Sequence, residues 1–259
     1  MGGIGILGGT GWLGRALGRN LLARGLAPGD LVVANRRGPT ADYDGWPGVT
    51  WAQGLDDLVA RCEVLVLSVR PEDYRLSDPQ GFRGLVLSFM AGVALGRLGR
   101  DWPSARIARA MPGGGATEGR AHVPWCAGPG LGAADAARVE SLLAAIGTVD
   151  RVADEAQLAV LAALSGSGAA YPALMAQAMF RHACAEGIAP VVAWRGVASV
   201  VCDAPDLFRA GPEAVEALLA AYHGYRGVTA AGLDAAEAAG FSGAIGRALA
   251  AAARKALSF

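Results

Sequence analysis

The chain has 259 residues, 53% of them hydrophobic and 18% charged, with 38 glycines. That composition buries a real core in one large unit or two modest ones and excludes disorder as the main theme. Lys+Arg and Asp+Glu both total 23, so the formal net charge is zero. No global field draws nucleic acid or an anionic membrane, and the expected partner is a small molecule.

Short aliphatic runs come first: Ile4 to Leu7, Leu31 to Asn35, Val64 to Ser68, Leu85 to Phe89 and Arg106 to Met111, separated by helical segments. This alternation predicts a parallel sheet with helices on both faces. Two more runs, His122 to Ala127 and Thr148 to Val152, flank a helical stretch from Ala133 to Ala145 and are expected to extend the sheet. After Ala153 the strand-like runs give way to alanine-rich segments with helical spacing, broken near Gly187, Asp203 and His223. The reading is an α/β Rossmann-type doubly wound sheet over residues 1–152, the cofactor domain, followed by an all-α dimerisation and substrate domain over 153–259. Several of these helices carry Ala and Leu on more than one face, which predicts a helix-swapped homodimer or a higher homo-oligomer.

Cys62, Cys126, Cys184 and Cys202 lie without metal-ligand spacing, as do the three histidines, so reduced thiols and no metal are expected. Met1 to Leu7 contains no basic segment followed by a long apolar one. Leu158 to Leu164 is too short for a membrane span, and Val191 to Val201 carries Arg195. A soluble, cytoplasmic protein is the expectation.

The chemistry begins between the first run and the first helix, where Gly9, Gly11 and Gly14 form GxGxxG. In that context the first glycine permits a tight turn, the second lets backbone approach a pyrophosphate and the third allows close helix packing; the helix N-terminus supplies free N–H groups. Gly9, Thr10, Gly11, Trp12, Leu13 and Gly14 are therefore cofactor-binding candidates, although tryptophans such as Trp12 more often pack than stack on a ligand. About twenty residues later an NAD site places an acid on the ribose hydroxyl. Here the second run ends in Asn35, Arg36 and Arg37. Two guanidiniums suit a 2′-phosphate, so NADP(H) is expected over NAD(H). Ligands of open α/β sheets lie beyond the carboxyl ends of strands, which adds Ser68, Val69, Arg70 and Pro71, and then Met111 and Pro112 ahead of Gly113 to Gly115.

Ala163-Leu164-Ser165-Gly166-Ser167-Gly168-Ala169-Ala170-Tyr171 is similar to the ALSGSGPAY motif of the pyrroline-5-carboxylate reductase family, whose members reduce a cyclic imine with NAD(P)H. The order of Asn35-Arg36, Val69-Arg70-Pro71, Arg109 to Pro112, Ile146-Gly147 and Ala238 to Phe241 extends the resemblance along essentially the whole chain. It implies hydride transfer to a C=N bond, a carboxylate-bearing imine substrate, and Ser165 and Ser167 near that substrate. The family's MPNTPA becomes Met111 to Ala116 without the polar Asn and Thr, and its SPGGTT aligns with Gly224 to Thr229. In relatives that loop opens a helix whose amides receive the carboxylate, with the last threonine near the imine nitrogen. The resemblance thus implies substrate roles for Tyr225, Arg226, Gly227, Val228 and Thr229, with Thr229 the catalytic candidate, while Tyr225, Arg226 and Val228 change the size and charge of the pocket. In an interleaved dimer the cleft would combine the cofactor domain of one chain with the 224–229 loop of the other.

Positioning supplies much of the acceleration for a protonated imine, so no His/Asp dyad is required. His122 and His182 are read as structural or surface residues, while His223 precedes the loop and is a second possible proton donor. Two other functions share the scaffold. One is deazaflavin-dependent NADP reduction, whose glycine turn is similar to Gly8 to Gly14; the other is a non-catalytic NADP-binding sensor.

Overall fold

The computed structural model describes residues 3–74 and 81–257. Strand β1 (Ile4–Leu7) leads into α1 (Trp12–Ala23), and β2 (Leu31–Ala34), β3 (Thr50–Trp51), α2 (Leu55–Val59), β4 (Val64–Leu67), β5 (Leu85–Ser88), α3 (Leu95–Asp101) and β6 (Arg106–Ala110) follow. Then come β7 (Ala121–Ala127), α4 (Ala133–Leu143) and β8 (Gly147–Arg151). The eight strands form one sheet in the order β3-β2-β1-β4-β5-β6-β7-β8. β1 lies between β2 and β4, both parallel to it, and this reversal of strand order opens the crevice at its carboxyl end.

Period-two alternation divides the apolar side chains between two faces. Ile4, Ile6, Leu31, Val33, Val64, Val66, Leu85 and Leu87 join Leu17 and Val139 in one buried cluster. Val32, Ala34, Leu65, Leu67, Val86 and Ile107 join Leu58, Leu98 and Trp102 in the other. Burying strands from both sides removes the polar-out alternation, which is why their sequences read as continuous aliphatic runs.

Two features differ from the expectation. β3 is two residues long, too short to leave a periodic signal. β7 runs antiparallel to β6, pairing Ala110 with Trp125, and parallel to β8. The ten residues from Met111 to Arg120 contain no crossover helix, and without one the chain can only turn back.

The helical part comprises α5 (Glu155–Leu161), a π-helical segment at Ala162–Gly166, α6 (Ala170–Ala185), α7 (Pro190–Ala198), α8 (Pro212–Tyr225), α9 (Val228–Ala238) and α10 (Phe241–Leu257). The change from strand to helix falls where the sequence places it, after Arg151. The compact units nevertheless divide between Gly168 and Ala169, and the end of α10 from Leu249 belongs to the first unit. An ion pair ties α5 to the first unit: Glu155, at the start of α5, binds Arg109 of β6 and accepts from the Leu95 N–H at the start of α3. α5 is thereby part of the sheet's packing.

Within the second unit Ala176, Ala193, Val197 and Ala230 are the buried hydrophobic residues, whereas Leu174, Val191, Trp194, Leu207 and Tyr225 are exposed. An apolar surface of this extent marks a protein–protein face. Glu155–Ala185 is also helical, long and apolar enough to cross a membrane by length and composition, with little of its apolar window buried. The seven-residue view of Leu158 to Leu164 understated this stretch, because the π-helical segment at Ala162–Gly166 continues α5 beyond Leu161. All four cysteines are free. Burial pushes the Cys62 thiol up to about 12 and the Cys126 thiol up to about 11, so both stay neutral, unreactive packing groups.

Candidate functional site

The glycine turn is built by close approaches between backbones. Gly8 has φ +85°, and a Cβ there would meet the Ser68 carbonyl oxygen at 2.3 Å; at Gly14 it would lie 2.5 Å from the Gly8 oxygen. The Gly8 N–H donates to Ala34 O at 2.7 Å and the Gly11 N–H to Gly8 O at 2.9 Å. Gly11 is the N-cap of α1 and offers no capping side chain, so the first-turn amides of α1 lack a side-chain cap. Thr10 accepts a hydrogen bond from Asn35 Nδ2 at 2.8 Å, which ties the turn to the end of β2. Leu13 packs against the core, while Trp12 is 50% exposed at the start of α1, so the packing role common for tryptophan does not apply to it.

Sequence reasoning missed Tyr43. Its hydroxyl, buried below α1, donates to the Gly9 carbonyl at 2.7 Å. Gly18 admits the ring, since a Cβ there would lie 2.5 Å from the Tyr43 oxygen. Desolvation pushes the Tyr43 phenol well up, which keeps it a donor. Beside it, burial opposes ionisation of Asp42, but hydrogen bonds from Arg15 and Thr40 outweigh that and hold its carboxyl below the usual range.

At the end of β2 the Arg37 N–H donates to Asn35 Oδ1 at 3.1 Å. Arg36 reaches across to Asp73 at 3.0 Å with its own side chain 84% exposed. The strand end after β4 supplies that acid: Ser68 donates its N–H to Leu7 O, and Arg70 precedes a 3₁₀ turn at Pro71–Asp73. Ser68 and Val69 thus sit against Gly8, with Val69 Cγ1 within 2.9 Å of a Cβ built there.

Met111 and Pro112 leave β6 at the same sheet edge, the Met111 N–H donating to Pro124 O and the Gly113 N–H to His122 O. Gly113 has a reason to be glycine: a Cβ would lie 2.6 Å from the Ser165 carbonyl oxygen. Gly114 faces Gly168, the latter at φ +53°, where a Cβ would lie 3.2 Å from Gly114 Cα. The replacement of the family's Asn and Thr therefore goes with a tight seat for the Ser165–Gly168 segment. Ser165 Oγ lies 3.0 Å from Leu161 O and 2.8 Å from Nδ1 of His122, whose Nε2 is 3.1 Å from Asp150 Oδ2. The sequence marks His122 as a structural or surface residue and does not single out Asp150, because 28 positions separate them and only the β7–β8 pairing brings them together.

In the second unit α8 ends at Tyr225, Arg226 takes the left-handed conformation at φ 53°, and Gly227 is the N-cap of α9. Val228 and Thr229 are the first two residues of α9, and the Tyr225 and Val228 side chains are exposed. His223 lies 3.5 Å from Asp234 of α9. Arg226 is the one non-glycine residue with positive φ among the described residues. Arg226→Gly should therefore raise stability by about 0.5–1 kcal/mol while removing the cationic side chain. The thermal midpoint checks the first effect and the KM for a carboxylate-bearing substrate the second.

Residues 155–258 match the family model for pyrroline-5-carboxylate reductase dimerisation, and residues 3–81 match that for NADP oxidoreductase, coenzyme F420-dependent. A pyrroline-5-carboxylate reductase of Synechocystis sp. is 30% identical over 257 residues, covering 97% of this chain and 96% of that protein. A solved pyrroline-5-carboxylate reductase from Coxiella burnetii is 26% identical with TM-score 0.85, covering 100% of this chain and 99% of that one. The Plasmodium falciparum pyrroline carboxylate reductase with NADP bound shares the fold at 18% identity and TM-score 0.82, over 98% of this chain and 97% of its own. The glycine cradle, the absence of an acid in Asn35-Arg36-Arg37 and the match over 3–81 make NADP(H) the cofactor. With both units matched and the sequence relation running nearly end to end, this oxidoreductase belongs to the pyrroline-5-carboxylate reductase family.

Proposed function

We infer that the chain reduces the C=N bond of a small, carboxylate-bearing cyclic imine and works as a homo-oligomer in the cytoplasm. The observation that carries this reading is the 30% identity spread over both units, the helical one included. NADPH supplies the hydride. The chain's own residues do the rest: the free amides of α1 and the Gly8–Gly14 turn receive the pyrophosphate, and Arg36 with Arg37 receives the 2′-phosphate. The α9 N-terminus at Gly227–Thr229 and the Arg226 guanidinium receive the substrate carboxylate, and Thr229 hydrogen-bonds the imine nitrogen. The four free cysteines fit the reducing compartment.

The deciding measurement follows NADPH absorbance with 1-pyrroline-5-carboxylate, its six-membered analogue and a deazaflavin. Consumption with an imine is expected. Consumption with the deazaflavin alone would transfer the reading to the F420-dependent enzymes, whose family model matches residues 3–81. Binding without turnover on any of the three would make the protein a sensor. For cofactor choice, Arg36→Ala removes a charge-assisted pair worth about 1.5–3 kcal/mol. NADPH affinity should fall about 10- to 100-fold while NADH affinity stays unchanged. Equal losses for both cofactors would place Arg36 away from the 2′-phosphate.

A further inference from the structure

Ser165, His122 and Asp150 form one hydrogen-bonded line at the edge of the sheet where β6 ends. Nδ1 of His122 is 2.8 Å from Ser165 Oγ, and Nε2 is 3.1 Å from Asp150 Oδ2. His122 and Asp150 lie on adjacent parallel strands, with Thr148 opposite His122 and Asp150 opposite Pro124, so the two side chains share a face. Ser165 comes from the π-helical segment Ala162–Gly166, which is seated on Gly113 just beyond Met111 and Pro112. Ligands of such sheets lie at this edge.

The donor inventory fixes how the line works. An ionised Asp150 only accepts, so Nε2 carries a hydrogen. In the neutral ring Nδ1 is then an acceptor, and the Ser165 hydroxyl donates to it. In the imidazolium both nitrogens donate, and the Ser165 hydroxyl is released towards Leu161 O, 3.0 Å away, or towards a substrate atom. Protonation of His122 thus turns Ser165 from a donor to the ring into an acceptor from it, with its own hydrogen free for another partner.

The charged groups on the elements packed against β7 are otherwise engaged. Arg109 of β6 and Glu155 of α5 pair with each other. Arg151 of β8 lies over the Trp125 ring at 5.1 Å, and Asp154 caps α5 through the Gln157 N–H. That leaves Asp150 as the carboxylate on His122.

We propose that Ser165 delivers the proton that accompanies the hydride, and that His122, held by Asp150, is the positioning residue that recharges it. The step balances: the substrate carbon gains the hydride and the C=N π bond is lost. The nitrogen gains the Ser165 Oγ proton, and Oγ takes the Nδ1 proton from the imidazolium. The ring is left neutral with hydrogen on Nε2. His122 is part-exposed and regains its proton from solvent. This rests on the C=N reading above and takes the imine as neutral, with Ser165 in place of Thr229 on the nitrogen's lone pair.

The test compares wild type with His122→Gln, Asp150→Asn and Ser165→Ala, with 1-pyrroline-5-carboxylate as probe. Expected for His122→Gln is a fall in kcat of about 100-fold, with KM and NADPH affinity within about twofold. Asp150→Asn should show a smaller fall of the same kind, and the His122→Gln/Ser165→Ala double variant should be no slower than Ser165→Ala alone. An unchanged kcat, a loss confined to KM, or multiplicative losses in the double variant would overturn the relay. Imidazole ¹⁵N shifts in the resting protein give a reading independent of turnover: the neutral ring should carry its hydrogen on Nε2, and Ser165→Ala should shift Nδ1. A hydrogen on Nδ1, or no response to Ser165→Ala, overturns the relay even if wild type reduces no imine. Inert wild type with the expected shifts would refute the substrate reading alone.

Discussion

Gly14→Ala should abolish useful NADPH binding. The added methyl would lie 2.5 Å from the Gly8 carbonyl oxygen and 3.0 Å from Gly9 Cα, both backbone atoms that no rotamer change can move aside. The Gly8 oxygen also accepts from the Gly11 N–H, so shifting it disturbs the N-cap of α1. Overpacking of this kind costs about 1–3 kcal/mol of stability, with the larger consequence at the ligand because the turn is the cradle. Fluorescence titration should show NADPH affinity reduced at least about 100-fold, equivalent to about 2.7 kcal/mol, in a protein that still unfolds cooperatively. Wild-type affinity in this variant would mean that the turn is structural only.

The second large effect concerns Arg109 and Glu155. The Arg109 side chain is 7% exposed and gives one guanidinium nitrogen to Glu155 and another to Met90 O at 3.2 Å. Removing the carboxylate leaves a buried cation without its counter-ion, a change worth about 3–5 kcal/mol. Glu155→Ala also strips the acceptor from the Leu95 N–H. Urea unfolding of Glu155→Ala should show a midpoint lowered accordingly, whereas Arg109→Met, which buries an apolar chain of similar reach, should lose much less. Equal losses in the two variants would mean that packing, rather than the stranded charge, sets the cost.

Much of the cofactor half was legible because its constraints are local. Four of the strands, β1, β2, β4 and β5, are largely aliphatic runs, and the turn declares itself through glycines whose missing Cβ atoms the backbone contacts require. Asn35 and Ser68 could be placed from their position just past strand ends alone. What stayed hidden depends on pairing between distant segments. Tyr43 reaches Gly9 across 34 positions, Arg36 meets Asp73 across 37, and His122 meets Ser165 across 43. No periodicity encodes such meetings. The sequence also pointed away from His122, since imine reduction makes no demand for a histidine and the residue sits in no motif.

The reversed strand β7 has a wider consequence. In a wholly parallel sheet every strand begins at the edge remote from the ligand, so its first residues can serve only stability. Seven residues of strand span about 23 Å, and reversing β7, with β8 parallel to it, carries its first residues to the rim where β6 ends. His122 stands there because of that single change of direction, on a strand outside the switch point that holds the nucleotide. A substitution at this position therefore leaves the glycine turn that cradles the dinucleotide untouched.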